Sequence, residues 1–98
     1  MLKDFDPEET FNKVTEELYQ YVITRDNGIC QLCGRVAGHA HHIKFKSHGG
    51  KNKANNLASL CYDCHVGNDG VHGANRTVVQ LLLNRVKENE KMLKGRLV

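Results

Sequence analysis

Apolar residues near the start of the chain recur at helical spacing. Phe11, Val14, Leu18, Tyr21 and Val22 fall on one face when wound at about 3.6 residues per turn. Ahead of them, Asp6-Pro7-Glu8-Glu9 reads as a helix start. Asp6 can cap, Pro7 suits the first helical position, and Glu9 sits where a capping-box carboxylate belongs. The pattern predicts a helix over residues 7–24. Asp26-Asn27-Gly28 then turns the chain. Residues 36–45 predict a strand, although Gly38 interrupts it, and residues 46–56 have no apolar period and predict a loop. Leu57-Ala58-Ser59-Leu60 predicts a second strand, and residues 62–66 a short helical turn that ends at Gly67-Asn68-Asp69-Gly70. A last helix is predicted over 76–94. Its stripe is Val78, Leu82, Val86 and Leu93, thickened by Val79, Leu81 and Leu83. Glu90 and Lys94 are spaced for an i,i+4 ion pair, and Gly95 is placed as a stop. With no repeat and no linker, the expectation is one α+β domain over 1–98, two strands between an N-terminal and a C-terminal helix.

Composition adds one constraint. The chain has 98 residues, no Trp, three Phe and three Tyr, so its core is small and gains from a metal or disulfide staple. The charged start, Met1 to Asp6, has no apolar stretch of the kind that marks a secretion signal. No apolar run approaches the roughly 20 residues of a membrane span. The expected setting is therefore cytoplasmic and reducing, where paired thiols bind metal more often than they oxidise. The net charge of +3 is uneven: residues 1–20 hold six acidic against two basic side chains, so the rest is basic. A basic body suits a polyanionic partner such as nucleic acid.

Four cysteines fall in two short pairs, Cys30-x2-Cys33 and Cys61-x2-Cys64. A Cys-x2-Cys knuckle turns two sulfurs toward one ion, and two knuckles complete a tetrahedral zinc shell. Gly34 directly after Cys33 relieves the tight turn. A closed four-thiolate shell has no open position for substrate, so its role is to stabilise the fold. Disulfides or a redox Cys-x-x-Cys pair are the competing reading of the same residues.

Between and beside the cysteines lie His41-His42-Ile43, Gly49-Gly50, Asn56-Leu57 and Leu60-Cys61-x-x-Cys64-His65. This order resembles the HNH endonuclease family, in its branch where two Cys-x2-Cys pairs bracket the motif. The resemblance covers residues 30–65, about a third of the chain, and sets the core motif at about 30–72. It implies a ββα-metal fold around one divalent cation, Mg2+, Mn2+ or another first-row ion, and hydrolysis of DNA that leaves 5′-phosphate and 3′-hydroxyl ends. It further implies His42 as general base, His41 and His65 as cation ligands, and Asn56 as the central asparagine that holds the base-bearing strand. Elsewhere in the family an asparagine ligates the metal. His72, past the Gly67–Gly70 break, is a candidate further ligand.

Adjacent strand residues point to opposite faces. His41 and His42 can share one site only if the strand end is irregular or the phosphate lies between the two side chains. His39 would share a face with His41; an unspecialised strand histidine is its simpler reading. His48 reads as a solvated loop residue. Lys44, Lys46, Lys51 and Lys53 cluster around the loop between the strands, where contacts hold phosphates without reading sequence. A solvated lysine-rich loop accounts for them equally well. The alternative to a nuclease is a non-catalytic zinc-stabilised module that binds nucleic acid. A homodimer through the apolar last helix, or a partner protein such as phage packaging machinery, would fit a nuclease with no obvious specificity domain.

Overall fold

The computed structural model describes residues 5–45, 49–65 and 76–97. Along the chain run α1 (Glu16–Arg25), β1 (His39–His42), a 3₁₀ turn (Ala54–Asn56), β2 (Leu57–Leu60), α2 (Tyr62–His65) and α3 (Arg76–Leu97). β1 and β2 form an antiparallel pair in which His39 faces Leu60, Ala40 faces Ser59, His41 faces Ala58 and His42 faces Leu57. The fold is the expected α+β arrangement, with the helices at either end of the chain and a two-stranded sheet between.

The sheet is covered on both faces, and for that reason all four residues of β2 are buried. Leu57 and Ala40 pack toward α1 with Leu18, Tyr21 and Val22, joined by Phe5, Phe11 and Val14. Ala58 and Leu60 pack on the opposite side with Ile43, three of the cysteines, and Leu82 and Val86 of α3. α3 spans both clusters, since its Leu93 belongs to the first. Residues that alternate along β1 therefore look toward two different environments, which matters for its histidines.

The first helix begins later than its sequence suggests. α1 starts at Glu16, with Thr15 as its cap accepting a hydrogen bond from the Leu18 amide at 3.1 Å. Asp6 closes only a local turn: its carboxylate accepts from the Glu8 amide at 2.9 Å and its carbonyl from the Glu9 amide at 3.1 Å. The physical reason lies at Phe11. Its backbone amide bridges to the Asn52 carbonyl at 2.9 Å, and an amide bonded to a distant segment cannot join a helical ladder. Phe11 and Val14 still reach the core, but from an irregular strap.

β1 is also shorter than 36–45. Val36 pairs with Ile29 in an isolated bridge, and the Gly38 amide donates to the Leu60 carbonyl before the ladder begins. α3 runs through Gly95 to Leu97, because nothing in Gly itself ends a helix unless the chain turns there. The Glu90–Lys94 pairing does not form either; Glu90 turns inward, accepting from Tyr21 at 2.7 Å and pairing with Arg25 at 3.4 Å. The turn at Asn27-Gly28 is where the sequence puts it, both residues having positive φ.

One buried polar network fixes α1, β2 and α3 together. Arg25 is fully buried. It grips Asp26 through two hydrogen bonds of 2.9 and 3.0 Å and donates to the Ala54 and Leu57 carbonyls at 2.7 and 2.6 Å. Asp26 in turn accepts from the Ser59 amide at 2.9 Å and from Asn89 at 2.8 Å. Arg25 so holds both ends of the turn that carries Asn56.

Candidate functional site

The four cysteine sulfurs lie within 4.8 Å of one another, and no two are joined in a disulfide. Cys33 and Cys61, one from each knuckle, have sulfurs 3.5 Å apart. Tetrahedral zinc with bonds of about 2.3 Å places its sulfurs roughly 3.8 Å apart, whereas a disulfide requires about 2.05 Å. The donor set thus fits zinc. Locally the first knuckle is shaped by backbone bonds, Gly34 amide to Cys30 carbonyl at 2.9 Å and Cys30 amide to Arg35 carbonyl at 2.6 Å. Gly34 takes φ +82°, which a β-carbon would resist. Cys61 and Cys64 sit at the end of β2 and in α2, so the second knuckle is a strand-to-helix junction.

Arg35 straps the exposed side of this cluster. Its Nε donates to the Cys33 sulfur at 3.3 Å and its guanidinium reaches Asp63, between the second pair, at 3.2 Å. The Arg35 hydrogen bond holds the Cys33 thiol down to about 6, favouring the thiolate. Burial and the neighbouring sulfurs push Cys64 well above the usual thiol range. Four ionised thiols cannot share this space without a cation between them, and zinc binding resolves that conflict by displacing their protons.

Beside the clasp, α2 presents His65 directly after Cys64. Its amide bonds to the Cys61 carbonyl at 3.0 Å, so the zinc knuckle and the histidine share one turn of backbone. The His65 ring meets the His41 ring at 5.2 Å between centroids, nearly perpendicular at 74°. His39 completes the group at 5.0 Å from His65, with Tyr62 5.9 Å beyond. His41 is 3% exposed. Two adjacent imidazoles offer two nitrogen donors and leave other coordination positions free, a set suited to first-row divalent ions.

His42 occupies the other face of β1, as strand alternation requires. Its Nε2 lies 2.8 Å from the Asn52 side-chain oxygen. Asn52 is buried, and its Nδ2 donates to the Phe11 carbonyl at 3.1 Å. Asn56 faces the segment that follows β1. Its oxygen accepts from the Lys44 amide at 2.8 Å, and its nitrogen donates to the Lys44 and Lys51 carbonyls at 3.1 and 3.0 Å. One asparagine side chain thereby ties both ends of the loop. The Ile43 amide adds a bond to the Asn56 carbonyl at 2.8 Å.

Lys44 and Lys51 are exposed beside this loop, while Lys53 leans 3.4 Å from the Glu8 carboxylate. Lys46, His48 and His72 lie outside the described residues. Two neighbours of the site were not singled out by its motif. Asn52 sits in Lys-Asn-Lys and looks like any loop residue. His39 had a usable signal, its i,i+2 spacing from His41. No helix among the described residues is long and apolar enough to cross a membrane.

Comparison with known proteins agrees with this geometry. Among curated proteins nothing matches the chain. Residues 30–69 match the family model described as HNH endonuclease, a span that begins at the first clasp cysteine and takes in both strands and α2. Residues 30–69 thus carry a match to the HNH endonuclease family, and the four cysteines are positioned to form a zinc site, consistent with its zinc-knotted branch.

Proposed function

We propose that this protein is a divalent-metal-dependent endonuclease that hydrolyses DNA phosphodiester bonds, with His42 as general base and His41 and His65 holding the cation. The observation that carries this reading is the split of neighbouring histidines across β1. His41 turns to His65, and His42 turns away to Asn52. Hydrolysis by in-line displacement needs the attacking water and the departing oxygen on opposite sides of phosphorus. A phosphate lying across the end of β1 has one histidine environment on each side. The strand alternation that makes two adjacent histidines awkward for one metal thus suits one phosphate.

Each residue then has a part that its surroundings support. A neutral imidazole at His42 can take a proton from water near pH 7. His41 and His65 would hold a divalent ion, which would supply charge stabilisation to the phosphate and the leaving 3′ oxygen. Asn56 keeps the backbone after β1 in place through Lys44 and Lys51. Lys44 and Lys51 contact flanking phosphates without reading bases. The closed cysteine shell takes no part in the chemistry; it fixes His65.

The test is a plasmid digest in EDTA-treated buffer with Mg2+ or Mn2+ restored, run beside His42→Ala. Nicking should require the added ion. His42→Ala should lose about 10²- to 10⁴-fold in rate, the usual contribution of a general base, while keeping its fold and zinc. A His42→Ala protein that nicks at the native rate rules out the base assignment. Salt-sensitive DNA binding without any nicking under every ion would mean a binding module instead.

A further inference from the structure

The tautomer of His42 is set from a point far away in sequence. The Phe11 carbonyl can only accept a hydrogen bond, so the Asn52 side chain must turn its NH2 toward it, at 3.1 Å. This leaves the Asn52 Oδ1 facing His42 at 2.8 Å. An amide oxygen cannot donate, so the His42 Nε2 must carry the hydrogen. In the neutral ring the lone pair that can accept a proton is then on Nδ1. Without this arrangement the two tautomers of a half-buried imidazole would both be populated, and the ring could rotate.

We infer that Asn52 is a positioning residue of the nuclease site: anchored by the Phe11 carbonyl, it locks His42 as the Nε2–H tautomer and presents Nδ1 to the attacking water. The inference rests on the base role proposed above, but its structural half stands by itself. Three features support it. Asn52 is 6% exposed, so water does not compete freely for its amide. Its backbone carbonyl separately accepts the Phe11 amide at 2.9 Å, which fixes the main chain independently of the side chain. And His42 lies on the sheet face shared with Phe11 and α1, away from the His41 and His65 pair. The irregular strap that replaces the first part of the expected helix thereby frees the Phe11 carbonyl for Asn52, since a helical Phe11 would use that carbonyl within the helix.

Three variants test it in the full chain. Asn52→Ala removes the side-chain lock but retains the backbone bridge. Asn52→Asp keeps an acceptor for His42 and loses the donor to Phe11. His42→Ala reports on the base itself. Imidazole nitrogen NMR of the metal-reconstituted protein should show a single Nε2–H tautomer for His42, which Asn52→Ala converts to a mixture and Asn52→Asp preserves. Nicking should fall about 10- to 100-fold in kcat for Asn52→Ala, on the scale of the loss when a metal-bound histidine is deprived of its orienting partner. KM should stay unchanged, and Asn52→Asp should recover most of the rate. Circular dichroism and the thermal midpoint check that each variant folds.

An unchanged tautomer in Asn52→Ala overturns the inference, and so does native kcat in that variant when His42→Ala is inactive. If His42→Ala is itself fully active, the base reading fails, while the NMR result still decides whether Asn52 sets the tautomer.

Discussion

At Gly50 the amide donates to the Phe45 carbonyl at 2.9 Å, and a β-carbon there would land on the Lys44 carbonyl. That carbonyl is one of the groups Asn56 holds, so the clash cannot be relieved without disturbing the loop. Gly49 beside it takes φ +86°, a conformation costly for other residues. Gly50→Ala should therefore destabilise the domain by about 1–3 kcal/mol, as overpacking does, and slow nicking more than the stability loss explains. Chemical denaturation beside a plasmid assay checks both. At this scale the sequence showed residue types well. His41, His42, Asn56, His65 and the glycine pair could be named as candidates from order and spacing. Asn52 was not, because its partner Phe11 is 41 residues away and no local pattern encodes that meeting.

Between elements, the Arg25 network makes a sharper demand than any apolar contact. Removing Arg25 leaves Asp26 buried and Glu90 half-buried without their cation. It also strips the Ala54 and Leu57 carbonyls of a donor. Breaking a buried pair by deleting one partner costs about 3–5 kcal/mol. Arg25→Ala should lose stability on that order by urea titration, and loosen the turn that carries Asn56. Tyr21 adds a pH dependence from the same region. Burial first, and its bond to Glu90 second, push its phenol above the ordinary range. The native state binds this proton more tightly than the unfolded chain, so the stabilisation is complete below about pH 10 and is lost as pH rises beyond it. Tyr21→Phe should flatten that alkaline loss. β2 and the core stripe of α3 matched their expected positions because burial on two sides, or on one helical face, repeats every few residues. The start of α1 did not, because Asp6-Pro7 and Thr15 are both competent caps and the distant bridge at Phe11 selects Thr15.

For the molecule as a whole the clasp matters most. It joins the segment after α1 to the junction of β2 and α2, and three of its cysteines form part of the core with Leu82 and Val86. Cys30→Ser should leave the domain unfolded or strongly destabilised. Chelation of the wild type should lower its thermal midpoint, with metal content tracking the loss. Zinc capture displaces thiol protons, so a fixed chelator concentration should strip the protein more readily as pH falls. A chelated protein with an unchanged midpoint would refute the structural role of the clasp.

By itself the sequence determined the cysteine spacing, the order of the histidines and asparagine, β2, the Asn27-Gly28 turn and the apolar stripe of α3. All of these depend on neighbours within a turn or two of the chain, or on donor chemistry that spacing alone conveys. The tertiary structure decided where α1 begins, which histidine faces which side of β1, the burial of Arg25 and the hold of Asn52 on His42. These depend on which backbone groups from remote segments come together, and a carbonyl carries no sign in its own residue of the side chain that will reach it.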